Sequence, residues 1–227
     1  MKFLNDNELE WSAVVANNAM NRERKAIGVN SYEKEIKLNP IEFILSRKEE
    51  EVIRWADLCC GRGNALIQTA QHFEGHFLNK KIKIIGIDLV NFFTAYEGLE
   101  NLSFREMNVR KWQPKEKFDL ITIIHGLHYI GDKIGLILKV AEALKEDGIF
   151  LGSLDIKNIK IEGVTNEEKW IKDFFKKNQI NYNSRTKLIK VEGQNILSNP
   201  LQYLGADDKA GPNYTGQPVV NSFYGRR

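Results

Sequence analysis

From residue 52 to residue 154 the chain alternates strand-like apolar runs with amphipathic stretches, and that rhythm leaves few folds open. VIRWADL, KIIGIDL, LSFREMNV, FDLITIIHG and IFLGSLD read as strands, GNALIQTAQHF and IGLILKVAEALKE as helices, and FFTAYEGL as a short helical turn. Strands separated by helical segments pair in parallel, with helices on both faces of the sheet. FDLITII is apolar almost throughout, as a strand covered on both faces should be. The expectation is a doubly wound α/β sheet of seven strands with residues 52–58 central. The helix IGLILKVAEALKE is expected to stop at Asp147-Gly148.

The flanks read differently. ELEWSAVVANNAM, residues 8–20, has helical periodicity and leads into a polar connection, NRERKAIGVNSYEKE. Asn39-Pro40 opens a second helix, IEFILSRKEE, with Asn as cap and Pro in the first turn. Residues 1–48 are thus expected to form a helical cap and residues 49–227 the sheet domain. Thr165 and Glu168 form a capping box before EEKWIKDFFKKN, whose Trp170, Phe174 and Phe175 make a core stripe. SRTKLIKVEG and LQYLGADD are β-like and too close for a crossover helix, so they pair antiparallel or sit apart. The last twenty residues read as an irregular loop anchored by aromatic side chains.

A chain of 227 residues with 42% hydrophobic content can bury one real core. Its formal charge of +3 sets up no field that calls for nucleic acid or a membrane surface. No apolar run has signal-peptide or membrane-spanning length. Cys59 and Cys60 are adjacent, a poor geometry for a structural disulfide and no metal-ligand pattern. A cytoplasmic protein without a metal is expected.

The chemistry concentrates in Asp57-Leu58-Cys59-Cys60-Gly61-Arg62-Gly63-Asn64, where the first parallel strand meets its helix. Glycines there let the backbone approach a ligand and leave helix N–H groups facing it. The dinucleotide fingerprint fails, because Leu66 stands where its third glycine belongs. A P-loop fails too, because no G-K-[ST] follows. The second strand ends in Asp88, followed by Leu89, where a carboxylate faces the crevice that doubly wound folds use for ligands. Asn108 and Val109 follow the third strand, and His125-Gly126-Leu127-His128 closes the fourth.

This ordered set resembles the class I S-adenosylmethionine-dependent methyltransferases over roughly residues 50–155. Asp57, Gly61 and Gly63 match that family's D-x-G-x-G-x-G, with Cys59 in place of its first glycine. The resemblance implies a Rossmann-like sheet whose last strand pair is antiparallel, with N-terminal cap helices and S-adenosyl-L-methionine as cofactor. It implies cofactor contacts from Asp57, Cys59, Gly61, Gly63, Asp88, Leu89, Asn108, Val109 and His125. Asp88 falls on the ribose-binding acid and Asn108 on the adenine-contacting position. The N/D-P-P-Y motif of methylases acting on adenine or glutamine amides is replaced by His125-Gly126-Leu127-His128, which disfavours those acceptors. His125 and His128 are candidate general bases. By the same resemblance Arg22 or Arg24 would hold a substrate carboxylate, with Asn30 and Tyr32 lining the pocket. The expected reaction is methyl transfer to oxygen or nitrogen of a small molecule. The alternatives are methylation of RNA or a peptide, for which the lysine-rich residues 157–190 speak, and a cofactor-binding protein without turnover.

Overall fold

The computed structural model describes residues 3–16, 23–47, 52–74, 81–194 and 198–227. Its main sheet has seven strands in the order β3-β2-β1-β4-β5-β8-β7. These are β1 (Ile53–Leu58), β2 (Ile82–Asp88), β3 (Leu102–Glu106), β4 (Phe118–Ile123), β5 (Leu144–Ser153), β7 (Asn181–Asn183) and β8 (Leu188–Glu192). β3, β2, β1, β4 and β5 run parallel, and β8 is antiparallel to both β5 and β7. The doubly wound sheet with β1 central and an antiparallel closing pair is as the sequence leads one to expect.

Side-chain alternation explains why the sheet is covered on both faces. Ala56, Leu58, Ile121 and Ile123 share one core with helices α5 (Lys133–Glu142) and α6 (Glu167–Lys177). Ile53, Trp55, Leu120 and Ile84 join the other core with α2 (Tyr32–Ile36), α3 (Pro40–Leu45) and α4 (Asn64–Glu74). A two-residue period sends successive residues of one strand to opposite faces. The Asn39 side chain accepts the N–H groups of Ile41 and Glu42, and Pro40 begins α3, so that start is where local chemistry predicts it. No helix among the described residues is long and apolar enough to cross a membrane.

Several expectations need correction. LQYLGADD is β9 (Leu201–Asp207) and lies outside the main sheet, in a three-stranded sheet ordered β6-β10-β9 with β6 (Ile159–Ile161) and β10 (Asn221–Arg226). Its partner β10 comes from the segment expected to be irregular, though aromatic anchoring holds: Tyr224 is buried and Phe223 stacks on Phe3 at 4.7 Å. The sheet edge is closed instead by the polar tripeptide of β7, which carries too little apolar pattern to read as a strand. FFTAYEGL is irregular rather than helical: Phe93 and Tyr96 pack on the Phe104 ring at 4.6 and 5.4 Å, and the Thr94 N–H is given to the Arg62 carbonyl. α5 ends at Glu142, not at Asp147-Gly148, because the Ala143 carbonyl accepts the Phe118 N–H and draws the chain into β5. Asn166 rather than Thr165 caps α6, accepting from the Lys169 N–H.

The N-terminal helix is shorter than its periodicity suggests. α1 covers Asp6–Glu10, with a reciprocal capping box between Asn5 and Glu8, and Trp11 already lies 85% exposed. Residues 17–20 of the expected helix lie outside the described residues. Leu4 pairs with Ala206 of β9, so the second sheet is what anchors α1 over the strand tips.

Candidate active site

The C-terminal tips of β1, β2 and β4 open into one crevice. Beyond Leu58 the chain turns through Cys59, Gly61 and Gly63, with φ of 57°, 60° and 74°. These are left-handed conformations, free for glycine but costing a residue with a Cβ about 1–2 kcal/mol. Cys59 therefore carries backbone strain where the family pattern has glycine. Space for its side chain comes from Gly126, since a Cβ there would lie 2.5 Å from Cys59 Cβ and 2.8 Å from its Sγ. Gly63 has a steric reason too: a Cβ would sit 2.3 Å from the Phe104 ring. Burial pushes the Cys60 thiol well up, and this residue packs in the core.

Asp88 ends β2 and is 8% exposed. Its carboxylate accepts the N–H of Gly61 at 2.8 Å and of Val90 at 3.2 Å, tying the β1 turn to the β2 tip. Beside it opens a cavity of about 700 Å³, counted out to its mouth, walled by Cys59, Asp88, Leu89, Asn108, Val109 and Gly126. Leu9 and Glu10 of α1 cover it. The Asn108 amide donates to Glu10, and its oxygen accepts the Arg110 N–H at 2.7 Å. Arg110 in turn pairs with Asp6, so α1 is latched to the cavity wall by polar contacts.

Asp57 lies under this wall rather than in it, fully buried. Its two oxygens accept hydrogen bonds from the Thr122 hydroxyl at 2.6 Å and the Tyr32 hydroxyl at 2.7 Å, and Thr122 accepts the Trp55 indole N–H at 2.9 Å. Burial pushes the Asp57 carboxyl from 3.8 up to about 7, against the lowering effect of both hydroxyls. Thr122 is the lone hydroxyl in β4, set between Ile121 and Ile123, and that is a signal the sequence carried.

Past β4, and next to Gly126 of the cavity wall, the chain runs into His125, which is 9% exposed and left-handed at φ 61°. His125 Nε2 meets Glu35 Oε1, and Glu35 Oε2 accepts from Arg24 Nε at 2.5 Å. Burial raises the Glu35 carboxyl, but the hydrogen bonds and charges of His125 and Arg24 outweigh it and hold the group below its ordinary range. His128, on the 3-10 turn Gly126–Tyr129, is 1% exposed, and neither ring nitrogen has a hydrogen-bond partner among the described residues. Burial, helped by His125 and Lys133, pushes it down to about 3, so this ring is neutral. Tyr214, from the β9–β10 connection, closes over both, with ring centroids 5.6 Å from His128 and 6.3 Å from His125.

The described N-terminal candidates stand in roles other than those expected. Arg24 already holds a carboxylate, that of Glu35 in the same chain. Tyr32 is buried with its hydroxyl given to Asp57 rather than to the cavity. Asn30 is exposed on a turn closed by Lys25 and Ser31. Arg22 lies outside the described residues. Glu35 and Tyr214 escaped notice, because no spacing in the sequence links residue 35 or residue 214 to residue 125.

A family model described as a methyltransferase domain matches residues 30–188. Trans-aconitate 2-methyltransferase of Escherichia coli is 29% identical over 113 residues, 48% of this chain and 42% of that protein. The chain thus spans less than half the length of the curated relatives it matches. Among solved structures, N-methyltransferase NodS from Bradyrhizobium japonicum, in complex with S-adenosyl-L-homocysteine, is 13% identical with a TM-score of 0.43, over 72% of this chain and 86% of that one. YjhP from Escherichia coli is 22% identical with a TM-score of 0.42, over 62% and 54%. The likeness to these structures is partial, and the description of the fold rests on the sheet order itself. The family match runs from the turn before α2 to the start of β8, and leaves α1, β9 and β10 outside it. Over most of its length, then, this chain belongs to the methyltransferase domain family.

Proposed function

We propose that this chain is an S-adenosylmethionine-dependent methyltransferase acting on oxygen or nitrogen of a small-molecule acceptor. The observation that carries the reading is the cavity at the tips of β1, β2 and β3, with the Asp88 carboxylate in its wall beside a left-handed turn. Its apolar lining with a few placed polar groups suits a bound small molecule. In this reading Asp88 accepts the ribose hydroxyls, Leu89, Asn108 and Val109 border the adenine, and Cys59, Gly61 and Gly63 shape the turn against which the rest lies. Asp57 supports that turn from below through Tyr32 and Thr122.

S-adenosylmethionine, when bound, supplies a methyl group already activated as a sulfonium. The chain's work is then to orient, to exclude water and to manage any proton on the acceptor. α1 covers the cavity with Leu9 and Glu10, and a covered cavity of this kind favours a small acceptor over RNA or a peptide. His125 and His128 occupy the acceptor end.

Calorimetry with S-adenosylhomocysteine tests the reading. Stoichiometric binding is expected, followed by S-adenosylhomocysteine release from S-adenosylmethionine in the presence of an acceptor. A folded protein that binds neither compound overturns it, and salt-sensitive retention of tRNA would favour a nucleic-acid acceptor instead.

A further inference from the structure

We infer that Glu35, backed by Arg24, fixes His125 as a general base with Nδ1 as the proton-accepting atom, so that the acceptor presents a hydroxyl or amine rather than a carboxylate. This rests on the methyltransferase reading and adds to it an acceptor class and a positioning residue.

Arg24 holds Glu35 as a carboxylate, its Nε donating to Oε2 at 2.5 Å, and a carboxylate only accepts hydrogen bonds. His125 Nε2 must therefore be the donor. In a neutral imidazole one nitrogen carries the proton and the other the lone pair, so the lone pair falls on Nδ1. That atom has no protein partner among the described residues, and it is not sealed from solvent as the His128 nitrogens are. The groups facing His125 are Glu35 from α2, Arg24 from the segment before it, His128 from its own turn and Tyr214 from the β9–β10 connection.

Two further observations show that the arrangement is built. The His125 backbone is left-handed, a conformation that costs a residue with a Cβ free energy and persists only where its surroundings impose it. Glu35 is carried by a segment pinned at two points, through the Ala26 and Ile27 N–H groups on Gln68 and through the Tyr32 hydroxyl on Asp57.

The step balances. The acceptor heteroatom forms its bond to the methyl carbon, the electron pair of the broken carbon–sulfur bond stays on sulfur, and the acceptor's proton passes to His125 Nδ1. The positive charge lost from the sulfonium is thereby gained by an imidazolium lying against Glu35. An acceptor carboxylate has no proton to give, and the cation it would seek, Arg24, is already neutralised by Glu35.

Nitrogen-15 NMR of the histidine rings, recorded on the free chain and on its S-adenosylhomocysteine complex at pH 8, reads the tautomer directly. The expected result is neutral His125 with the proton on Nε2, converted to a mixture of tautomers in Glu35→Ala and partly restored in Glu35→Asp, while S-adenosylhomocysteine affinity stays within about twofold. If Glu35→Ala does not fold, Glu35→Leu, which keeps the bulk and has no acceptor, provides the same comparison. Phenol and benzoate serve as acceptor probes, and phenol is expected to shift the Nδ1 resonance with a Kd at least about tenfold below that of benzoate. A proton on Nδ1, a tautomer indifferent to Glu35, or benzoate binding as well as phenol overturns the inference. Loss of S-adenosylhomocysteine binding in the unaltered chain would instead overturn the methyltransferase reading, and the tautomer would still be readable.

Discussion

At the Asp88 end of the crevice, each group that matters sits at the C-terminal tip of a strand or in the turn that follows it, where local backbone chemistry marks it. Asp88 satisfies the turn through the Gly61 N–H, and the cavity wall continues through Leu89 and Val90. The His125 end is assembled from Arg24, Glu35, His125, His128 and Tyr214, which four separate stretches of chain bring together. It also holds the buried ring nitrogens of His128, whose lack of a partner would cost about 1–3 kcal/mol in a finished core. The contrast teaches that a binding end can be encoded by local backbone chemistry, while an acceptor end is encoded by where distant segments dock. Asp57, two residues before the turn at Cys59, lies between the two: it anchors the segment that carries Glu35 through Tyr32 and ties it to β4 through Thr122.

Severing that joint should have the largest effect. Asp57 titrates near 7 in the folded protein and near its ordinary 3.8 when unfolded, chiefly because it is buried. The folded state therefore keeps a proton that the unfolded chain releases between those values. Its stabilising contribution is fully present below about pH 4 and is lost as pH rises through 7, on the order of 4 kcal/mol in total. Asp57→Asn should flatten this dependence in chemical denaturation measured from pH 4 to 8. A wild-type stability that rises over that window would show that the two hydroxyl donors dominate instead.

Gly63→Ala comes next and should strike the first end alone. It combines a left-handed backbone with a collision on Phe104, itself stacked on Phe93, for roughly 3 kcal/mol of lost stability. A double-mutant cycle with Phe104→Leu should recover about 1 kcal/mol as coupling. Strict additivity would mean that the glycine serves only the turn.

Asp88→Ala should weaken S-adenosylhomocysteine binding at least about tenfold, since hydrogen bonds to a charged group contribute roughly 1.5–3 kcal/mol each. The His125 tautomer should not respond. Calorimetry and ring NMR on the same sample would show whether the two ends are as separable as their construction implies.

The smallest effect sharpens the comparison from the opposite direction. Cys59→Gly relieves a left-handed residue and should stabilise the fold by about 1 kcal/mol, offset in part by lost packing against Gly126. Thermal denaturation would register it. An unchanged or lower midpoint would show that packing of the thiol outweighs backbone strain.

Much of the framework was legible because its signals are local. The alternation of apolar runs identified β1, β2, β4 and β5, the Asn39-Pro40 pair marked the start of α3, and the residues around Gly61 and Asp88 marked the crevice. Legibility failed where a neighbour in space decides. FFTAYEGL has helical spacing, yet it packs on Phe104 as an irregular segment. ELEWSAVVANNAM has an amphipathic pattern, yet Trp11 is left in solvent. NYN has no strand pattern at all, yet it completes the sheet because β8 offers it an edge.

The sequence by itself determined the parallel core, the turn chemistry after β1 and the carboxylate at the end of β2. Each depends on residues within a few positions of one another, whose backbone preferences and periodicity act before any tertiary contact exists. Tertiary structure alone decided that Glu35 and Arg24 meet His125, that Tyr214 closes over His128 and that β9 carries α1 above the cavity. Those pairings join segments tens of residues apart or more. No periodicity records them, because they exist only once the sheet has fixed where each strand tip points.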